Sequence, residues 1–175
     1  MGEKEISDFL IKRLVEKSSR WKARLPERRS FMTDVRILRW NEIERRPLPA
    51  TEESAGWMKR IIYPPHVTSK GTFMGVAEVN PGYSPHRWHT HTTDKAKGYE
   101  VEYPKDFEEF YYIISGTGIV QWKDEKGKAK EEKVSTGDTV FFPVGVPEHQ
   151  IFNNGSEKMV IVFGGSPTAK VILKK

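Results

Sequence analysis

The chain has 175 residues, no cysteine, 30% charged residues and a formal net charge of +5. That length suits one domain with an extension and a core that needs no staples, and the lack of thiols excludes disulfides and leaves only nitrogen and oxygen donors for any metal site. Residues 1–60 hold 15 Lys and Arg against 10 Asp and Glu while residues 61–175 hold 14 of each, and because the bases alternate with acids without a dense patch, no nucleic-acid partner is expected.

The N-terminus, MGEKEISDFL, is charged from the start, and no run of 18 apolar residues follows it. Neither a signal peptide nor a transmembrane helix is expected, so no membrane partner and a cytoplasmic location are. Ile6, Phe9, Leu10, Leu14 and Trp21 recur at helical spacing over residues 6–25, with Ser7 as N-cap and Pro26 just past the end. This predicts a helical extension whose apolar stripe covers the main domain or a second subunit, and with it a homodimer. Residues 31–40 alternate in part and predict an edge strand. Residues 45–54, with Pro47 and Pro49, predict a surface linker. The expected boundary puts residues 1–56 in the extension and 57–175 in the main domain.

From Trp57 onward the pattern changes to short β-rich runs at residues 59–63, 73–79, 87–91, 110–114, 119–123, 131–135, 139–142, 149–153 and 159–163. Pro81-Gly82, Ser115-Gly116, Gly127, Gly137-Asp138 and residues 143–147 and 153–156 supply the turns. Such spacing predicts an all-β sandwich or small barrel. Residues 123–133 read as a charged hairpin tip. Residues 92–106 interrupt the series; a stretch this long predicts a lid over the barrel mouth or a contact with a second subunit.

The sharpest chemical signal in this part is His89 and His91, followed by Glu109 and His149. Two histidines at i and i+2 point the same way only on a strand, since a helix would need i and i+4. Three imidazoles and a carboxylate suit one divalent ion of iron, manganese, zinc, nickel or copper. A lone histidine is more often a surface or satisfied residue, so the reading rests on the joint pattern. Alternation puts Arg87 on the face of His89 and His91, Tyr111 on that of Glu109, and Asn153 on that of His149. Arg87 is the only arginine beyond residue 60, and its guanidinium could hold a carboxylate or phosphate. Tyr111 could donate to a substrate or be a core tyrosine bonded to backbone. Glu109, Tyr111 and Arg87 are thus the candidate catalytic residues. His86 has the opposite parity from His89, and His66 follows two prolines in a loop.

The segments PGYSPHRWHTH, EEFYYIISGTG and GDTVFFPVGVPEHQIFNN carry these residues, and they resemble the two motifs of the cupin family over roughly residues 71–163. Six residues separate Glu109 from Gly116, Gly137 precedes Pro143 at the family spacing, and three residues separate His149 from Asn153. The chain departs from the pattern where Gly82 stands one residue further from the first histidine, where Glu148 adds one residue before His149, and where residues 92–108 lie between His91 and Glu109. The resemblance implies a double-stranded β-helix, the jelly-roll barrel of cupins. It also implies one divalent metal on His89, His91, Glu109 and His149, with no organic cofactor. Family members with such ligands include dioxygenases, decarboxylases and sugar isomerases. The expectation is a metal-dependent enzyme acting on a small anionic organic substrate, with dioxygenase or oxidoreductase chemistry favoured because no proton-transfer pair beyond Glu109 is evident. The alternatives are a sugar or sugar-phosphate isomerase and a non-catalytic binder of a metal or small ligand.

Overall fold

Buried side chains fall at every second position along the central strands, and that alternation gives each sheet one inner and one outer face. The computed structural model describes residues 35–48, 55–64, 66–67, 69–86, 88–91, 94–96, 99–168 and 170–173, with Leu38–Lys175 forming one compact unit. Its strands are β1 (Arg46–Pro47), β2 (Gly56–Ile62), β3 (Phe73–Val79), β4 (Asp94–Ala96), β5 (Tyr99–Glu102), β6 (Glu108–Ser115), β7 (Thr117–Lys123), β8 (Ala129–Ser135), β9 (Thr139–Phe142), β10 (His149–Phe152), β11 (Met159–Ser166) and β12 (Lys170–Leu173). Among the described residues the only helical element is a 3-10 turn, Trp40–Glu42. The expected helix over residues 6–25 and strand residues 31–34 lie outside the described residues, as does Arg87.

β4, β5 and β12 form a third, small sheet, and the other nine strands form an all-β sandwich of two sheets. The larger has the order β1-β2-β3-β11-β6-β9 and the smaller β10-β7-β8. Met58, Ala77, Val79, Tyr111, Ile113, Met159, Ile161 and Phe163 face inward from the first sheet, and Val120 and Ile151 meet them from the second. β8, an edge strand reading AKEEKVS, is exposed along most of its length, and its charges discourage pairing with another chain.

Four expectations change. Residues 35–39 form no strand, and the stretch expected as a linker opens with β1, which pairs with Trp57 and Met58 of β2. The run over residues 87–91 reduces to a single bridge, His89 to His149. The interruption at 92–106 is not a bare loop: it folds into the β4-β5 hairpin, to which β12 adds from the C-terminal end. Pairing β12 with β5 joins sequence-distant segments; β5, reading YEVE, alternates over only four residues, and β12, reading KVIL, does not alternate.

Gly116, at the bend between β6 and β7, and Gly137, inside the turn closed by Asp138 N to Ser135 O, have φ +91 and +95, a region open to glycine but strained for other residues. Their surroundings differ. A Cβ on Gly116 would lie 2.8 Å from the Lys158 carbonyl oxygen, whereas one on Gly137 would meet nothing within 4 Å. We expect Gly137→Ala to cost about 1 kcal/mol of stability and Gly116→Ala at least about 2 kcal/mol, measured by urea unfolding; equal losses would show that the approach of β11 to the β6-β7 turn is slack.

Candidate metal centre

The four sequence-marked ligand residues reach one place from both sheets. Glu109 lies inward on β6, between Gly165 of β11 and Phe142 of β9. His149 opens β10 on the opposite sheet. His89 is held against it by a reciprocal pair of backbone hydrogen bonds, His89 N to His149 O at 3.1 Å and His149 N to His89 O at 2.9 Å. Their rings are 4.5 Å apart. His91, two residues on, returns to the same side, as the i, i+2 spacing predicts.

All three imidazoles present Nε2 to Glu109 Oε2, at 3.1 Å from His91, 3.5 Å from His149 and 3.9 Å from His89. One donor atom from each residue lies within 4.8 Å of all the others. Donors bonded to one transition metal at about 2.1 Å lie roughly 3–4 Å apart, so the cluster could hold a single ion after closing by a few tenths of an ångström. The donor set fits a borderline divalent metal.

The surrounding contacts fix protonation. His149 Nδ1 lies 2.9 Å from the Pro147 carbonyl oxygen; a carbonyl can only accept, so Nδ1 carries a proton, and Nε2 is the nitrogen that faces Glu109 and that an ion would bind once it has lost its own proton. Tyr111 donates its hydroxyl to Glu109 Oε2 at 2.9 Å and is 1% exposed. It is therefore a core tyrosine bonded to a ligand carboxylate, not to backbone. Burial, followed by the charge of Glu109, raises the Tyr111 pKa well above the phenol value. For Glu109 burial alone would raise the pKa, but hydrogen bonds from His149 and His91 and the charge of His89 outweigh it and hold the carboxyl below the usual carboxylate range. His91 Nδ1 is buried without a hydrogen-bond partner among the described residues.

Aromatic rings enclose the cluster. Phe142 stacks on His149 at 4.1 Å, Phe107 meets His91 edge-on at 4.7 Å, and Tyr103 lies 5.3 Å from the His91 ring. Gly165 makes room for Phe107, whose ring would come within 2.5 Å of a Cβ there. The sequence singled out none of Phe107, Phe142 or Pro147 in this role. Phe107 and Phe142 read as ordinary apolar residues, and a backbone carbonyl leaves no mark in a sequence. His86, which opposite parity set apart, sits with its ring 5.2 Å from His89, and burial together with His89 pushes its pKa down to about 3. A groove of about 970 Å³ between the β7-β8 hairpin and residues 139–147 touches Phe142 and Pro147 but none of His89, His91, Glu109 and His149.

Because the folded Glu109 carboxyl ionises below its unfolded value of about 4.3, its ionisation stabilises the metal-free fold above that pH, and this contribution fades as pH falls toward the folded value. Metal-free Glu109→Gln is expected to melt lower than the parent at about pH 6, with the gap narrowing toward about pH 3. A gap that stays constant through that range would argue against this origin.

Comparison with known proteins adds the lineage. The Cupin domain profile matches residues 75–164, a stretch that includes all four ligand residues. No curated protein matches significantly. Among solved structures, a sugar phosphate isomerase from a cupin superfamily of Silicibacter pomeroyi is 17% identical with a TM-score of 0.51, covering 80% of this chain and 82% of that one. An uncharacterised conserved protein with a double-stranded β-helix domain from Klebsiella pneumoniae is 17% identical with a TM-score of 0.51, covering 81% and 99%. An oxalate decarboxylase from Lactobacillus farciminis is 18% identical with a TM-score of 0.49, and this chain spans only 34% of its length. At such identities the likeness is one of fold. A family profile that runs from β3 to β11, through both sheets and every residue of the histidine and glutamate cluster, establishes that the chain belongs to the cupin family.

Proposed function

We propose that this cupin is a metal-dependent enzyme acting on a small anionic organic substrate, with dioxygenase or oxidoreductase chemistry. The observation that carries the reading is the convergence of three Nε2 atoms on one oxygen of a buried glutamate. Burying an ionised carboxylate is costly unless a charge or several donors meet it, and an ion held by His89, His91, Glu109 and His149 meets it directly. When bound, such an ion supplies Lewis acidity and, if redox-active, a place where dioxygen and a chelating substrate can meet. The double-stranded β-helix expected for the barrel brings its ligands together in this way.

The chain's own residues support the choice of chemistry. An isomerase needs a base with a pKa near the working pH. His86, at about 3, is a poor base at neutral pH, and Tyr111 is a very weak acid whose proton is committed to Glu109. Tyr111 is therefore read as orienting the carboxylate, not as transferring a proton. Phe107, Phe142 and Tyr103 narrow access of water and favour chemistry in a dry site. The β4-β5 hairpin remains our candidate lid, since the chain leaving it places Tyr103 against His91. A cytoplasmic homodimer is part of the reading, supported by exposed Tyr112, Ile114 and Phe141 on the outer face of the large sheet, an apolar surface that a second copy would cover.

Elemental analysis of untagged protein is expected to find one transition-metal ion per chain, lost in His89→Ala and in His149→Ala while the circular dichroism of the fold persists. Metal retained in both variants would sink the site. Tyr111→Phe should keep the fold and weaken metal binding by about 10- to 100-fold, read by chelator competition. With the metal loaded, oxygen uptake is expected with at least one of a panel of catechols, keto acids and thiols. No uptake across the panel counts against dioxygenase chemistry and leaves isomerisation or simple binding.

A further inference from the structure

The two sheets part along one side. β8 ends the smaller sheet and β9 the larger, with no further strand beyond either among the described residues, and the groove of about 970 Å³ opens between these edges. Strand alternation supplies its walls. Val120, Trp122 and Val134 come from the β7-β8 hairpin, and Val140, Phe142 and Val146 from β9 and the turn after it. Apolar walls, two of them aromatic, around a space of this volume match a site for one small organic molecule.

Register ties this groove to the ligand cluster. Trp122 pairs directly with His149 and Phe142 with Glu109, so each wall stands one strand spacing, about 4.8 Å, from a ligand residue on the same face. Phe142 belongs to both places: it lines the groove and its ring stacks on His149 at 4.1 Å. In this structure that ring closes the way between them, and a change of its rotamer would join the two. The charges at the rim decide which end of a molecule enters. Lys123 is met by Glu148 and Lys130 by Asp124, and Glu125 and Glu132 outnumber Lys126. Such a rim does not collect an anion, and the charged edge β8 disfavours an added peptide strand. An oxyanion is therefore drawn to the cluster, and an apolar body to the groove.

We infer, on the metal-site reading above, that the substrate is a small aromatic carboxylate whose ring lies in this groove between Trp122 and Phe142, with its carboxylate directed past Phe142 to the His89, His91, Glu109, His149 cluster. Trp122 and Phe142 then select for a flat ring by stacking or edge contact. The valines exclude water around it.

The test uses the full chain, metal-loaded and metal-stripped, with phenylacetate and acetate as probes in calorimetric titrations. The metal-loaded parent is expected to bind phenylacetate at least about tenfold more tightly than acetate, because the ring leaves water for the groove. It should also bind phenylacetate more tightly than the stripped protein does, because the carboxylate then meets an ion. Val134→Gln, which places an amide among the apolar walls, should weaken phenylacetate binding severalfold while acetate binding and metal content stay as they are. No preference for phenylacetate over acetate, the same affinity with and without metal, or undiminished binding by Val134→Gln overturns the assignment. If Val134→Gln does not fold, Trp122→Leu decides, with a severalfold loss supporting the groove and unchanged affinity overturning it. Phenylacetate binding that depends on Val134 in a chain that takes up no metal would sink the metal reading and leave the groove as a ligand site. A metal-bearing chain whose phenylacetate binding ignores Val134 would sink this assignment alone.

Discussion

One buried carboxylate organises this molecule. Glu109 is enclosed between two sheets, and an ionised side chain there must be met by donors or a cation. Three imidazoles and the Tyr111 hydroxyl meet it, and they come from different parts of the chain. Tyr111 is on the same strand, His149 is on the facing sheet, and His89 is hydrogen-bonded to His149 through the backbone. The polar cluster therefore ties the large sheet to the small one at one end of the sandwich, while Met159, Ile161 and Val79 fill the other part of the interior with apolar side chains.

The rings around the cluster strengthen what happens inside it. With Phe107 edge-on to His91 and Phe142 stacked on His149, little water can screen the charges, and each hydrogen bond acts in a lower dielectric. The bond from His149 Nδ1 to the Pro147 carbonyl then does more than hold a ring in place. It keeps a proton on Nδ1 and directs Nε2, the nitrogen that can donate to Glu109 or bind an ion, into the cluster. Small residues matter for the same reason: Gly165 lets the Phe107 ring lie against β11 where any side chain would collide with it. At the opposite end Asn153 closes the sandwich, its side-chain amide donating to the carbonyls of Val79 and Glu157.

Strand alternation made much of this readable in advance. β3 and β9 have the bounds expected from their runs, β6, β7, β8 and β11 extend them by a few residues and β10 stops one residue short, because side chains that alternate between core and water leave a period of two. The ligand set was legible because a metal demands particular donors and the family motifs fix their order. β4, β5 and β12 were not legible. β4 and β5 are only three and four residues long, and β12 pairs with β5 from far away in sequence, so strands held mainly by a neighbour's backbone carry little local signal.

The sequence by itself determined the all-β class, the cupin membership and the four residues that could bind a metal, since each is written in local periodicity or in donor chemistry at fixed spacing. Only the tertiary structure decided that Tyr111 serves Glu109 and that Phe107 and Phe142 wall the cluster, while Arg87, the cation chosen from the sequence, lies outside the described residues. Parity along one strand says which side a residue faces. Which residues meet there depends on the register between strands, and register is set by the whole packed sandwich.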